Sequence, residues 1–318
     1  MKVLANDGIS NSGIERLESK GFEVITDHVG QDLLIEYINN NNIDVILVRS
    51  ATKVRKDLID NCQSIKLIGR GGVGMDNIDV EYAKDKGIHI INTPAASSTS
   101  VAELVFAHMF NMSRYLFDAN RQMPLIGDKD FKILKKSYSK GKELTGKTIG
   151  IIGFGRIGQE VAKKAIGLGM HVLANDKFIE EANITLHFFN NEKKTFTIQT
   201  ENLENVLSQS DFITLHIPKT NKKPVIGAEE IGLMKDGSGI INTSRGGLID
   251  ESALMFALDK EKLAYAGLDV FENEPNPTVH VLMHNAISLS PHIGGATREA
   301  QERIGSELAE KILKHYKS

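Results

Sequence analysis

The stretch IIGFGRIGQEVAKKA, residues 151–165, decides the fold of this chain. Gly153, Gly155 and Gly158 form a GxGxxG pattern that follows the apolar run TIGII and opens an amphipathic helix. In this setting the first glycine permits a tight turn, the second lets the backbone approach a pyrophosphate, and the third lets the helix pack closely on the strand. The pattern predicts a dinucleotide-binding βαβ unit. The alternative is that the glycines only form a tight βα turn and bind no ligand.

The residues after the glycines indicate which dinucleotide binds. The backbone N–H groups of Arg156 and Ile157 open the predicted helix, where unpaired donors favour phosphate. The next predicted strand, HVLAND, ends at Asp176, whose carboxylate suits ribose hydroxyls and repels a 2′-phosphate. The sequence therefore predicts NAD in preference to NADP, although Lys177 beside the carboxylate weakens the exclusion of NADP. A solvated loop acid is the alternative for Asp176.

Apolar, β-rich segments alternate with helix-like segments on both sides of a long helical region, which predicts parallel sheets with right-handed crossovers. The first hundred residues contain five predicted strands and four predicted helices. Six more strands follow in the second series. The fold class is therefore α/β with two doubly wound parallel-sheet domains. The predicted strands are KVLAND, FEVITD, IDVILVRS, IKLIGRGG and IHIINTP, then KTIGIIG, HVLAND, DFITLHIP, SGIINTS, AYAGLDV and AISLSPH.

Two helical segments connect the predicted domains. Within the stretch from Ser97 to Met123, apolar residues recur at helical spacing over roughly six turns, which predicts one continuous helix that bridges the domains. The final segment, REAQERIGSELAEKILKHYK, predicts a helix that returns to the first domain.

Composition excludes several classes of protein. At 318 residues the chain suits two domains, and no apolar run approaches the length of a membrane span. A net charge of −3 with scattered lysines gives no footprint for nucleic acid. The single cysteine, Cys62, has no Cys or His at metal-ligand spacing. We therefore expect a cytoplasmic protein that binds a small molecule, with no nucleic acid, membrane or metal partner.

Three later segments carry polar residues at predicted strand ends: Arg245 in NTSRGGLID, Glu274 in GLDVFENEP and His292 in SPHIGGATREAQ. Hydride transfer on a 2-hydroxy acid needs a cation for the carboxylate, a base for the hydroxyl and an acid behind the base. Each residue also has an ordinary interpretation, as a turn residue, a solvated acid and a hydrogen-bonded histidine. Spacing alone does not bring the three together.

The chain resembles the D-isomer-specific 2-hydroxyacid dehydrogenases along essentially its whole length. The resemblance implies a Rossmann-type NAD domain, 99–292, inserted into a flavodoxin-like substrate domain made of 1–98 plus 293–318. This insertion explains why the glycine pattern lies so late in the chain. The segments that carry the resemblance are VRSATKV (48–54), GRGGVGMDNID (69–79), GKTIGIIGFGRIG (146–158), LHIPKT (215–220), NTSRGGLID (242–250), GLDVFENEP (267–275) and SPHIGGATREAQERIG (290–305).

The resemblance also implies roles for individual residues. His292 is expected to take the hydroxyl proton, Glu274 to orient the histidine ring, and Arg245 to pair with the substrate carboxylate. Domain closure is expected to exclude water. Val73 and Gly74 match the loop whose backbone meets that carboxylate. The residues expected to line the cofactor, besides those of the glycine turn and Asp176, are His216, Ile217, Pro218, Thr243, Ser244, Arg245, Asp269, His292, Gly294 and Gly295.

Arg49 and Arg70 end two neighbouring predicted strands, and two guanidiniums at one sheet edge suit a dianion such as a phosphate. The alternative is that either arginine pairs with Asp76 or Asp79. The resemblance implies D-3-phosphoglycerate as the favoured substrate, with reduction of glyoxylate or hydroxypyruvate as the main alternative. A more distant alternative is an NAD-responsive scaffold, because transcriptional corepressors resemble the same family. We also expect a homodimer, without a C-terminal regulatory domain.

Overall fold

A computed structural model describes residues 1–219 and 223–317. Thr220, which ends the LHIPKT segment, lies outside the described residues. Backbone contacts divide the chain into two compact units. The terminal unit comprises Met1–Ser100 and the chain from Gly295 onward, and the central unit comprises Val101–Gly294. In the described ranges, every helix is too short or too polar to cross a membrane.

The terminal unit contains the five strands that the sequence predicts. They form one parallel sheet in the order β2-β1-β3-β4-β5, which is the flavodoxin-like order. The strands are β1 (Lys2–Ala5), β2 (Glu23–Ile25), β3 (Val45–Val48), β4 (Leu67–Arg70) and β5 (His89–Asn92). The four predicted helices are also present, as α1 (Asn11–Glu18), α2 (Leu34–Asn41), α3 (Lys56–Asn61) and α4 (Val80–Asp85).

Both faces of this sheet are covered. Successive strand residues point to opposite faces, so Val3 packs in one apolar cluster and Leu4 in the other. One cluster includes Leu17 of α1 and Leu308 of α12 (Arg298–Lys317), the last helix of the chain. Covering both faces explains why these strands are almost wholly apolar rather than alternating.

The central unit contains the six predicted strands of the second series. They form a parallel sheet in the order β13-β12-β11-β10-β6-β7. The strands are β6 (Thr148–Ile152), β7 (His171–Asn175), β10 (Phe212–Leu215), β11 (Ser238–Asn242), β12 (Leu263–Leu268) and β13 (Ile287–Leu289). The helices after α5 and α6, which are described below, are α7 (Arg156–Gly167), α8 (Leu203–Gln209), α9 (Ala228–Leu233), α10 (Glu251–Asp259) and α11 (Val279–Met283).

A β-hairpin that the sequence reading did not predict follows β7. Its strands, β8 (Glu181–His187) and β9 (Lys193–Gln199), pair antiparallel to each other. Directly after β9, Thr200 forms a single parallel bridge with Ala174 of β7. In the usual Rossmann order a third strand pairs with the strand that corresponds to β7. Among the described residues, this single bridge is all that pairs with β7 on that side.

The single long helix predicted from Ser97 to Met123 is wrong, because the helix breaks near its middle. Helix α5 (Ser98–Ser113) ends first, Tyr115 adopts a left-handed backbone with φ +55°, and α6 (Leu116–Ser137) begins in a new direction. The carbonyl of Ser113 accepts the N–H of Lys142 at 2.9 Å. This contact with a distant part of the chain gives a carbonyl at the helix end a hydrogen-bond partner. The apolar periodicity of the sequence continues through the break and therefore does not reveal it.

Candidate active site

The glycine turn of the central unit joins β6 to α7, and its three glycines meet different constraints. Gly153 has φ +94°, and a Cβ there would lie 2.5 Å from the carbonyl oxygen of His216. A Cβ on Gly158 would overlap the carbonyl of Gly153. The fold itself therefore requires both glycines. A Cβ on Gly155 would meet only open space, so this glycine keeps the approach to the N-terminus of α7 clear.

Asp176 links the end of β7 to this turn. Its Oδ2 accepts the N–H of Phe154 at 2.7 Å, and its Oδ1 accepts the N–H groups of Phe178 at 2.8 Å and Ile179 at 3.1 Å. A carboxylate accepts about four hydrogen bonds, so these three leave capacity for a further donor. Asp176 thus shapes the glycine turn as well as presenting a charge beside it.

His292 and Glu274 are in direct contact. The Nδ1 of His292 lies 2.9 Å from Oε2 of Glu274, and Oε1 of Glu274 accepts the N–H of Phe271 at 2.9 Å. Because an ionised carboxylate only accepts hydrogen bonds, Nδ1 carries the proton and Nε2 of the neutral ring keeps its lone pair. The pair borders a cavity of about 420 Å³ with mainly apolar walls. This arrangement leaves Nε2 available as a base.

The segment 290–294, here called the catalytic loop, is held by Asp269. The carboxylate of Asp269 is fully buried and accepts the N–H groups of Ile293 and Gly294, each at 2.8 Å, and the hydroxyl of Ser290 at 2.6 Å. Its carbonyl accepts the N–H of His292 at 2.8 Å. His292 itself has φ +54°, a strained backbone for a non-glycine residue that such contacts hold in place. Sequence reasoning placed Asp269 at the cofactor but missed this anchoring role and missed Ser290.

Arg245 lies in the loop after β11, and the backbone of this loop touches that of the Glu274 segment. A Cβ on Gly246 would overlap the carbonyl of Phe271, so only glycine permits this close approach. Asn242 shapes the loop, because its Nδ2 donates to the Arg245 carbonyl at 2.9 Å. The Nη1 of Arg245 donates to the carbonyl of Ser244 at 2.7 Å. The structure thus brings the loops that carry Arg245 and Glu274 together.

The carboxyl ends of β10 and β11 carry two buried polar atoms with no partner among residues 1–219 and 223–317. They are Nδ1 of His216 and Oγ1 of Thr243. The other ring nitrogen of His216 lies 2.9 Å from Thr214 Oγ1, and burial lowers the pKa of His216 to about 3, so the ring is neutral. A buried polar atom without a partner is costly, so both atoms suit a polar ligand group.

The other residues expected at the cofactor differ in their exposure and in their hydrogen-bond partners. Ser244 donates its hydroxyl to the carbonyl of Ile217 at 2.8 Å, which ties the loop after β11 to the loop after β10. Pro218 is exposed. Gly294 belongs to the central unit, whereas Gly295 belongs to the terminal unit, where its carbonyl accepts Nε2 of Gln301 at 3.0 Å.

In the terminal unit, Arg49 and Arg70 lie at the carboxyl ends of adjacent strands, and Val73 and Gly74 follow in the loop after β4. Arg49 is half-buried, and burial lowers its pKa against the opposing effect of Asp7. Asp7 is a nearby negative charge, but in the part of the chain that the structure describes no carboxylate oxygen lies within 4.0 Å of the Arg49 guanidinium. A half-buried cation in this state suits an anionic ligand.

The sequence left open that Arg49 or Arg70 pairs with Asp76 or Asp79. The carboxylate of Asp79 instead pairs with Arg55 at 3.0 Å, and the carbonyl of Asp76 accepts Nη2 of Arg55 at 2.9 Å. Arg70 directs Nη1 to the carbonyl of Gly71 at 3.3 Å. Arg55 therefore takes the carboxylate of Asp79, which the alternative gave to Arg49 or Arg70.

Residues 106–294 match the family model of the NAD-binding domain of D-isomer-specific 2-hydroxyacid dehydrogenases. The chain is 43% identical to a hydroxypyruvate reductase of Thermotoga maritima, over 98% of this chain and 97% of that protein. It is 40% identical to D-3-phosphoglycerate dehydrogenase of Methanocaldococcus jannaschii, over 99% of this chain but only 57% of that protein. Its fold is similar to that of a glyoxylate reductase from Paecilomyes thermophila, with a TM-score of 0.80, 28% identity, and coverage of 98% of this chain and 94% of that chain.

Proposed function

The chain belongs to the D-isomer-specific 2-hydroxyacid dehydrogenase family, and on this premise we propose that it oxidises D-3-phosphoglycerate to 3-phosphohydroxypyruvate, the reaction that leads into serine biosynthesis. Membership makes it an NAD-dependent oxidoreductase that acts on a small 2-hydroxy or 2-keto acid. The observation that carries the chemistry is the 2.9 Å contact between His292 and Glu274. The half-buried guanidinium of Arg49 supports the phosphorylated substrate.

The proposed roles follow from the hydrogen bond between His292 and Glu274. Nε2 of neutral His292 takes the proton of the substrate hydroxyl, and Glu274 stabilises the imidazolium that forms. Arg245 pairs with the substrate carboxylate. When bound, the nicotinamide supplies the hydride acceptor. The open face of Gly155, the N-terminus of α7 and the unpaired atoms of His216 and Thr243 fit such a cofactor. In the reverse direction His292 returns its proton to the keto oxygen.

We propose that Asp176 selects NAD over NADP. Asp176→Ala is expected to weaken NAD binding and to narrow the preference for NAD over NADP on the order of tenfold or more, since it removes the charge that repels a 2′-phosphate. Titration with NADH and with NADPH, followed by the fluorescence of the reduced nicotinamide, measures the two affinities. The same change also frees the N–H of Phe154, which loosens the turn for both cofactors alike. A fall in both affinities with an unchanged ratio would therefore assign Asp176 to the turn alone.

We propose that Arg49 recognises the substrate phosphate. Arg49→Ala is expected to reduce kcat/KM for D-3-phosphoglycerate and phosphohydroxypyruvate by about tenfold or more, the cost of one charge-assisted hydrogen bond. Activity on unphosphorylated hydroxypyruvate is expected to change much less. The matched control is Arg16→Ala, which removes an exposed arginine paired with Glu310 on the same unit. Equal losses on both substrates would show that Arg49 supports its loop.

Reduction of hydroxypyruvate or glyoxylate is the second candidate, and the relative from T. maritima favours it because both chains are matched almost completely. An NADH-oxidation panel with phosphohydroxypyruvate, hydroxypyruvate, glyoxylate and pyruvate separates the two. The highest kcat/KM on phosphohydroxypyruvate supports our proposal. The highest value on an unphosphorylated acid replaces it with the second candidate. Absence of turnover on all four would favour the scaffold alternative.

We further propose that the chain forms a homodimer through α6. This helix exposes several large apolar side chains, namely Tyr115 just before it and Leu116, Phe117, Met123, Leu125, Phe131 and Ile133 within it. They lie on both sides of a kink at Asp130, where φ is −115°. Large apolar side chains exposed in such number on one segment are unusual for a monomer. Sedimentation equilibrium measures the mass directly, and a monomer at micromolar concentration would refute this assembly.

A further inference from the structure

A buried histidine that the proposed reaction does not use lies behind the catalytic loop. His108, in the middle of α5, is 4% exposed. Its Nδ1 lies 2.8 Å from Oγ of Ser288 in β13, and its Nε2 lies 3.0 Å from Oγ of Ser290. Ser290 is the first residue of the catalytic loop, two positions before His292. One ring therefore connects α5 to the segment that carries the proposed base.

The direction of each hydrogen bond in this network follows from the groups at its two ends, the carboxylate of Asp269 and the side-chain amide of Asn111. At one end, the carboxylate of Asp269 only accepts, so Ser290 donates its hydroxyl and must itself accept from Nε2–H of His108. At the other end, Nδ2 of Asn111 donates to Ser288 at 2.7 Å, so Ser288 donates onward to Nδ1 of His108. The described contacts thus specify the neutral Nε2–H tautomer. Burial, which lowers the pKa of His108, favours the same neutral state.

Helix α5 approaches strand β12 closely at the position of His108. Gly267 lies inside β12, and a Cβ at that position would come within 2.9 Å of Cβ of His108. Glycine in the interior of a strand weakens the strand, and it often marks a close approach. The glycine accommodates the Cβ that any side chain at position 108 would carry, whereas the two aligned hydroxyl partners are specific to the histidine ring.

We infer that His108 is a positioning residue, which acts through Ser290 and Asp269 to hold the catalytic loop in the strained conformation that presents His292. Asp269 accepts the N–H groups of Ile293 and Gly294, and Ser290 supplies the hydroxyl that completes its set of donors. His108 fixes the orientation of that hydroxyl. The contribution of His108 to catalysis rests on the proposed function of His292 as the base. Its contribution to the conformation of the catalytic loop is independent of that proposal.

The test compares two amide substitutions of His108. Glutamine is long enough to place an N–H near the position of Nε2 and keep the contact with Ser290, whereas asparagine reaches only the position of Nδ1. His108→Asn is expected to accelerate amide hydrogen exchange at Ile293 and Gly294 on the order of tenfold and to lower kcat by a similar factor with little change in the KM for NADH. His108→Gln is expected to stay near the parent chain in both measurements.

Hydrogen exchange followed by mass spectrometry on the full chain gives a readout that needs no substrate. Parent-like exchange in His108→Asn, or equal acceleration in both variants, would overturn the inference even if the dehydrogenase activity is confirmed. Absence of activity in the parent chain would instead count against the proposed function and leave the exchange result decisive. If His108→Asn fails to fold, Ser290→Ala and Ser290→Thr provide the second comparison. Only the threonine variant retains the hydroxyl and is expected to keep slow exchange.

Discussion

Replacing His292 with glutamine is expected to lower kcat by about 100-fold or more in either direction, within the range for loss of a general acid or base. Glutamine has nearly the same size as histidine and keeps a polar amide, but it neither takes nor returns a proton near neutral pH. NADH binding is expected to persist, because the glycine turn and Asp176 lie on other loops. Steady-state kinetics together with fluorescence titration of NADH measure the two effects.

His171→Gln is the matched control for this change. His171 is exposed at the amino end of β7, whereas the catalytic loop follows the carboxyl end of a strand in the same sheet. Its replacement removes a histidine with no effect expected on kcat. Near-normal turnover of His292→Gln would show that another group moves the proton, and equal losses in both variants would point to a general effect on folding.

The fold was largely predictable because local sequence patterns indicate most of its strands and helices. The central strands of the two parallel sheets are short apolar runs that are buried throughout, such as Val45–Val48, and helices or turns separate them. The hairpin of β8 and β9 was missed because strands were expected to alternate with helices, and here the hairpin follows β7 where a helix was expected. The break after Ser113 was missed because the apolar periodicity continues through it, and the N–H of Lys142 that contacts the Ser113 carbonyl lies far along the chain. Tertiary contacts of this kind leave no local pattern.

The site was predictable only in part. Local spacing indicates the glycine turn and Asp176, because one strand and one helix hold them all. Arg245, Glu274 and His292 lie on three separate loops, and only the resemblance to a family joined them. The anchoring of the catalytic loop by Asp269 depends on backbone N–H groups, which any sequence supplies. His108 and Ser290 are far apart in the chain, so neither signals the other.

Replacing Glu274 with glutamine is expected to lower kcat by roughly 100-fold or more, although it changes one oxygen into an NH2 group. The N–H of Phe271 donates to Oε1 of Glu274 and would hold the amide oxygen of the glutamine in the same place. The NH2 group would then face Nδ1 of His292 and donate to it. The neutral ring would be forced to carry its proton on Nε2, where the reaction needs a lone pair.

Glu272→Gln separates this tautomer effect from the simple loss of a negative charge. Glu272 lies two residues earlier in the same segment, and its Oε1 accepts the N–H of Glu251 at 3.0 Å, a contact that a glutamine oxygen preserves. Its replacement removes the same charge without touching His292, so kcat is expected to stay within about threefold of the parent, as for most substitutions that keep their contacts. Heteronuclear NMR of the His292 ring reads the tautomer in each variant. A Glu274→Gln enzyme that keeps the proton on Nδ1 and turns over normally would reduce Glu274 to the solvated loop acid that the sequence alone also allows.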